Sequence, residues 1–237
     1  MDKIISIIYE DEYYVIVDKP PKLLVHRTGL SKDTVFLLQE LRNQLGYHIH
    51  PVHRLDRPTS GLIIFAKSPK ANTEMSKLFI ERKVEKGYMA IVRGWLGNGV
   101  INKPLKKMTD KSGLSEEKNE AITNYKELNR YELPFFVDKY PKSRYSLVKL
   151  RPETGRYHQI RRHLKSLKHP IIGDTSYGKS SHNNFFKDII GLDRLMLMAN
   201  YLKFIHPFTH KEIELELKDN IDFNHFIDWV KKYLKEG

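Results

Sequence analysis

Asp56 is the carboxylate whose neighbours suggest chemistry. It stands among His53, Arg54 and Arg57 in HRLDRPTSGLIIFAK, where Thr59-Ser60-Gly61 turns into an apolar run. The surrounding positive charge favours its ionised form. An anionic carboxylate just ahead of a rigid strand can act as a nucleophile or a general base. The ordinary alternative is an aspartate that braces its arginines or caps the Thr59-Ser60 turn. The residues alone leave both open.

A second basic segment, RPETGRYHQIRRHLKSLKHPIIGD, runs from Arg151 to Asp174. Thr154-Gly155 predicts a turn, followed by a helix over 156–168 with Ile160, Leu164 and Leu167 as its buried stripe. The first turns of that helix would carry Arg156, His158, Arg161 and Arg162. Backbone N–H groups at a helix start, backed by arginines, make a receptor for phosphate or carboxylate. Arg162 and Lys165 read better as a solvated basic face. Arg161 follows Ile160 and is expected near the interior, where a guanidinium needs a carboxylate; Asp56 is the candidate. A third segment, KVEKGYMAIVRG, is β-rich and holds Tyr88. Its ring could stack on a nucleobase, although a tyrosine on a half-buried strand more often belongs to the core.

Other chemistries are narrowed by what the chain lacks. None of the 237 residues is cysteine, which excludes disulfides, thiolate nucleophiles and Cys-ligated metals and fits a cytoplasmic setting. His48 and His50 share strand parity, His53 has the opposite one, and no nearby glutamate completes a ligand set, so no metal is expected. Lys and Arg total 41 against 29 Asp and Glu, a formal net charge of +12. A charge of that size points to a polyanionic partner, most often nucleic acid. No secretory signal and no membrane-spanning run is expected.

The elements that must position these residues follow from pattern. Ile4 to Ile8 and Tyr13 to Val17 predict strands joined by an acidic turn. Asp33 is the predicted cap of a helix with Val35, Leu38, Leu41 and Leu45 on one side, stopped by Gly46. A strand is expected over 62–66, a helix from Ser68-Pro69 to about Glu81, and a strand over 88–92 closed by Gly94. The polar stretch 97–119 reads as a surface loop. Strands follow over 121–131, 144–150, 195–204 and 212–217, with a terminal helix over 223–235. Strands and helices mix without regular βαβ alternation. The expected fold is therefore α+β, with a largely antiparallel central mixed sheet and flanking helices.

The three segments, in this order, resemble the RluA-type pseudouridine synthase family. HRLDRPTSG is similar to its catalytic signature, TGRYHQIRRHL with HPIIGD to a second, and the spacing of Lys86, Tyr88 and Ala90 to a third. The likeness runs from YEDEYYVIVDKPPKLLVHR to HPFTH, essentially the whole chain. It implies a single catalytic domain over 1–237 with an RNA-binding cleft and no small N-terminal S4 domain. It also implies that Asp56 is the catalytic aspartate, Tyr88 stacks on the target uracil and Arg161 pairs with the aspartate. Arg54 would enter the space left by a flipped nucleotide. His53, Arg57, Arg156 and His158 fall at motif positions expected to bind substrate. Ile63, Ile64 and Ile160 could wall a dry pocket or be plain core. Proline after HRLDR, IVRGWL, the Arg161-Arg162 pair and LMLMANYLKFIHPFT narrow the likeness to members acting on uridine 65 in the tRNA T-stem. A ribosomal RNA substrate, or an RNA chaperone with a lapsed site, are the other expectations carried. The resemblance implies a monomer that uses no metal and no organic cofactor.

Overall fold

β-Branched and aromatic residues place most of the strands, as their alternation requires. The structure, a computed structural model, describes residues 4–26, 34–108 and 113–234. In chain order it begins with β1 (Ser6–Glu10), β2 (Tyr14–Lys19), α1 (Leu37–Leu45), β3 (His50–Pro51), β4 (Ser60–Ala66) and α2 (Pro69–Ile80). Then come β5 (Glu85–Arg93), β6 (Gly99–Asn102), β7 (Leu105–Met108), β8 (Leu114–Asn119), β9 (Ile122–Leu133) and β10 (Ser143–Pro152). The chain ends with α3 (Gln159–Ser166), α4 (Ser180–Ile190), β11 (Leu197–Ile205), β12 (Glu212–Glu216) and α5 (Ile221–Leu234). The fold class is α+β, with mixed, mostly antiparallel strand pairing and flanking helices. Two compact units form: Met1–Glu85 with Met198–Leu217, and Lys86–Leu197 with Lys218–Gly237.

In the first unit the strands lie in the order β1-β2-β4-β11, with β3 added to β4 and β12 to β11. β2 and β4 run antiparallel, Val17 opposite Ile63, whereas β11 runs parallel to β4, Ala199 opposite Gly61. All seven residues of β4 are buried, so Ile63 and Ile64 are core side chains. The acidic turn between β1 and β2 is fixed by Asp11, whose Oδ1 accepts from the backbone N of Tyr13 and Tyr14, both at 2.7 Å. Ser68 caps α2 by accepting from Ala71 N at 3.1 Å, and Pro69 sits in the first turn where its missing N–H costs nothing.

α1 differs from expectation at its start. Asp33 lies outside the described residues, and the helix begins at Leu37 with no side-chain cap. The carbonyls of Leu24 and Val25 accept from Leu37 N and Leu38 N at 2.8 and 2.9 Å, which satisfies the first turn from the backbone. The buried stripe is therefore Leu37 and Leu41, while Val35 is 52% exposed. Gly46 ends the helix in the left-handed conformation, as expected.

The second unit is an antiparallel sheet in the order β5-β10-β9-β6 and a separate hairpin, β7-β8. The stretch expected as a surface loop over 97–119 thus contributes three strands among its described residues. α4 was not expected at all. Its Phe185 and Phe186 pack with Phe135, Phe226 and Trp229 in an aromatic cluster that ties α4 and α5 together. Among the described residues no helix is long and apolar enough to cross a membrane.

Candidate active site

The loop that carries Asp56 is held at several backbone points within the first unit. His53 Nε2 accepts from Ile64 N at 3.1 Å, and its ring stacks on Phe79 with centroids 4.6 Å apart. Leu55 is buried, and Thr59 N donates to Asp56 O at 3.0 Å to close the turn. The fully buried Lys19 reaches across: its Nζ donates to the carbonyls of Pro20, Leu23 and Arg57 at 2.8, 2.7 and 3.1 Å. Asp56 is left half-buried, with Arg54 and Arg57 exposed on either side. Gly61, in the same signature, has φ +111°, and a Cβ there would meet Ala199 O at 2.2 Å. Only glycine lets β4 and β11 approach so closely behind the loop.

In the second unit, Tyr88 is half-buried on β5, opposite Leu150 of β10. Arg161, 3% exposed, lies on α3 as expected of an interior guanidinium. A carboxylate partner not foreseen for it is Asp174. Arg161 Nε donates to Asp174 Oδ2 at 2.8 Å and Nη2 to Oδ1 at 2.9 Å, a bidentate fork. Burial alone would raise the Asp174 carboxyl, but Arg161 and the backbone N–H groups of Tyr177 and Ser176 outweigh it. They hold the group below the ordinary carboxylate value. Gly173 makes room for that aspartate: at φ +76°, a Cβ would fall 1.7 Å from Arg194 O.

The expected helix over 156–168 is corrected at its start. His158 takes the left-handed conformation, φ 51° and ψ 31°, which a continuing right-handed helix cannot include, so α3 begins at Gln159. Arg156 and His158 therefore precede the helix. Gln159, 5% exposed, occupies the region read as an anion receptor: its Oε1 accepts from Thr154 Oγ1 at 2.7 Å and Arg156 N at 3.0 Å. Arg156 Nε donates to Glu120 O at 2.9 Å. His158 Nδ1 is 3.0 Å from Tyr177 Oη, and the Arg161 guanidinium lies 5.1 Å from the Tyr177 ring centre, so Tyr177 joins these two motif residues. Arg162, expected on a solvated face, is half-buried and donates to Lys106 O at 3.0 Å; Lys165 is exposed. Ile160 is core. Among the described residues no three His, Asp or Glu gather as metal ligands.

Sequence reasoning missed Lys19, Gln159, Asp174 and Tyr177. Asp174 had a signal, the glycine before it at the end of the second segment. Lys19 had none, because a lysine beside Pro20-Pro21 reads as a solvated turn residue.

Each motif thus has a buried charged support within its own unit, Lys19 for the Asp56 loop and Asp174 for Arg161. The family model described as RNA pseudouridylate synthase matches residues 13–166, which hold Asp56, Tyr88 and Arg161. The chain belongs to the RNA pseudouridylate synthase family, RluA type. Relatives of this RNA pseudouridylate synthase include the protein named tRNA pseudouridine synthase C in Vibrio parahaemolyticus, 47% identical over 92% of this chain and 91% of that one. The protein of the same name in Pasteurella multocida is 46% identical over 89% and 90%. Among solved structures, Human RNA Pseudouridylate Synthase Domain Containing 1 superposes with a TM-score of 0.72 at 27% identity, covering 92% of this chain and 85% of that one. Human RNA Pseudouridylate Synthase Domain Containing 4 has the same score at 23% identity, a likeness of fold.

Proposed function

We propose that this synthase isomerises a uridine of tRNA to pseudouridine, at position 65 of the T-stem, with Asp56 as the catalytic carboxylate. The observation that carries the reading is the 47% identity, over nearly the whole chain, to a protein named tRNA pseudouridine synthase C, with the Asp56 signature intact. In the reaction the N1–C1′ bond breaks, the uracil turns, and a C5–C1′ bond forms. The proton displaced from C5 is matched by one gained at N1. No atom enters or leaves the product, so the isomerisation consumes no second substrate and no oxidant or reductant.

In this reading Asp56 acts at the sugar or the ring, Tyr88 stacks on the uracil, and Arg161 orients the aspartate. The Arg161–Asp174 fork supports the last role, because a guanidinium fixed through two nitrogens presents its remaining edge in one direction. A uridine in a stem must leave the stack at a cost of about a few kcal/mol. Arg54, entering the gap, would offset it. Arg57, Arg156 and His158 line the RNA path, and His53 holds the Asp56 loop in register. The proposed setting is the cytoplasm, and the proposed working form a monomer.

The test is tritium release from uracil C5-labelled tRNA, run beside filter binding. Asp56→Asn is expected to abolish release while tRNA affinity stays within about threefold of wild type, since one neutralised carboxylate removes no phosphate contact. Substantial release by the variant would overturn the role given to Asp56. Carbodiimide primer extension on tRNA and ribosomal RNA, with and without the gene, checks the position; loss of a ribosomal mark with position 65 intact would move the substrate.

A further inference from the structure

The two ends of the β5–β10 ladder present different chemistry. Tyr88 pairs with Leu150 at one end, and Arg93 pairs with Tyr145 at the other. Five residues at roughly 3.3 Å each put these ladder positions about 16 Å apart. At the Arg93 end, within the second unit, lies a groove of about 890 Å³. Six cations line it: Arg93, Lys139, Lys142, Arg144, Lys168 and Lys179. Asp138 is its one carboxylate, and Lys179 already pairs with it. Glu132, from β9, binds both Lys142 and Arg144 at 2.8 Å. Among the described residues no carboxylate forms an ion pair with Arg93, Lys139 or Lys168.

Hydrogen bonds tie parts of the groove's lining together. His169 Nδ1 is 2.8 Å from Arg93 O, and Arg93 N donates to Pro170 O at 3.0 Å, so the strand end and the 168–170 loop are tied together. His182 Nδ1 meets Tyr145 Oη at 2.9 Å, and burial holds its ring down to about 4. Tyr140 stands 71% exposed on the wall. Solvated lysines spread apart to reduce their repulsion; these converge on a concavity, where the field is focused instead of dispersed. An aromatic face beside unpaired cations suits a nucleic-acid strand better than a small anion, since it adds base stacking to phosphate contact.

We infer that this groove is a second RNA-contact surface, which holds the phosphate backbone of the substrate away from the reacting uridine. The inference rests on the proposed action on structured RNA, and it assigns the groove to affinity and not to chemistry. The test is the exposed pair Lys139→Glu/Lys168→Glu, compared with Lys231→Glu/Lys232→Glu on α5, which changes net charge equally outside the groove. Filter binding of full-length tRNA across salt concentrations, and tritium-release kinetics, are the two measurements. The groove pair is expected to flatten the slope of log affinity against log salt by about two and to raise KM on the order of 10-fold, with kcat within twofold. The α5 pair is expected to leave the slope within about half a contact's worth and KM within about threefold. Should the groove variant fail to fold, Lys139→Gln/Lys168→Gln is expected to give the same slope change. Equal effects of both charge-reversed pairs, or an unchanged slope in the groove pair, would overturn the inference. Binding is read without turnover, so a wild-type protein that binds tRNA through the groove but modifies none would sink the proposed function and spare the groove.

Discussion

At the scale of single residues, the Arg161–Asp174 pair carries the most testable physics. Both side chains are almost fully buried, at 4% and 1% exposure, and the fork is bidentate. Removing one charge from such a pair leaves the other uncompensated, at a cost on the order of 3–5 kcal/mol. Asp174→Asn keeps the shape and removes the charge, so urea unfolding at pH 7 should show a loss of about that size. The pH dependence has a definite sign. The folded carboxyl lies below its ordinary value near 3.8, so its contribution is complete above that value and fades as pH falls through the lower, folded one. Wild type and variant should therefore differ most at pH 5–7, and the gap should begin to close below about pH 3.8. A gap that persisted unchanged at pH 3 would mean that packing, and not charge, makes the pair matter.

Elements bring those residues to their places, and here glycine is informative. Gly61 joins the Asp56 loop to β4 at φ +111°, with Ala199 O where a Cβ would stand. Gly61→Ala is expected to cost on the order of 1–3 kcal/mol from backbone strain alone, read as a lower urea midpoint, before any separation of β4 from β11 is counted. An unchanged midpoint would show that the strands give way freely. Much at this scale was legible in the sequence. β2, β4, α2, β5, β10 and β11 sit where apolar alternation and the Ser68-Pro69 cap put them, because local chemistry decides them. The failures share a cause. The β7-β8 hairpin sets LKKM against LSEEKN, neither of which alternates, so pairing defines it. α4 lies under an aromatic cluster supplied by Phe135 and α5, a tertiary partner that local spacing does not reveal. His158, left-handed where a helix was expected, is fixed by bonding to Tyr177, nineteen residues away in sequence. The Asp56 and Arg161 motifs were legible as motifs. Their supports, Lys19 and Asp174, were not, because burial of a charge is a property of the folded chain.

For the whole molecule, the 41 Lys and Arg, and not the net charge of +12, bound the phosphate contacts available to RNA. Some cations are already spoken for by neighbours: Lys67 by Glu10, Lys203 by Glu212 and Glu214, Lys142 and Arg144 by Glu132. Such exposed pairs contribute little to stability, so phosphate can compete for these lysines, though at a discount. Counterion release turns the number engaged into a measurable slope, about 0.9 per phosphate neutralised on duplex. With roughly 6–10 contacts, tRNA affinity should fall on the order of 10³–10⁵-fold between 50 and 200 mM salt. A slope near two would confine recognition to a couple of cations around the reacting uridine. Such a result would make the charge a matter of solubility, and leave the groove at the end of β5 without an occupant. A steep slope that loses two of its steps only when Lys139 and Lys168 are reversed would instead divide the molecule's charge between one surface that performs the isomerisation and another that holds the RNA for it.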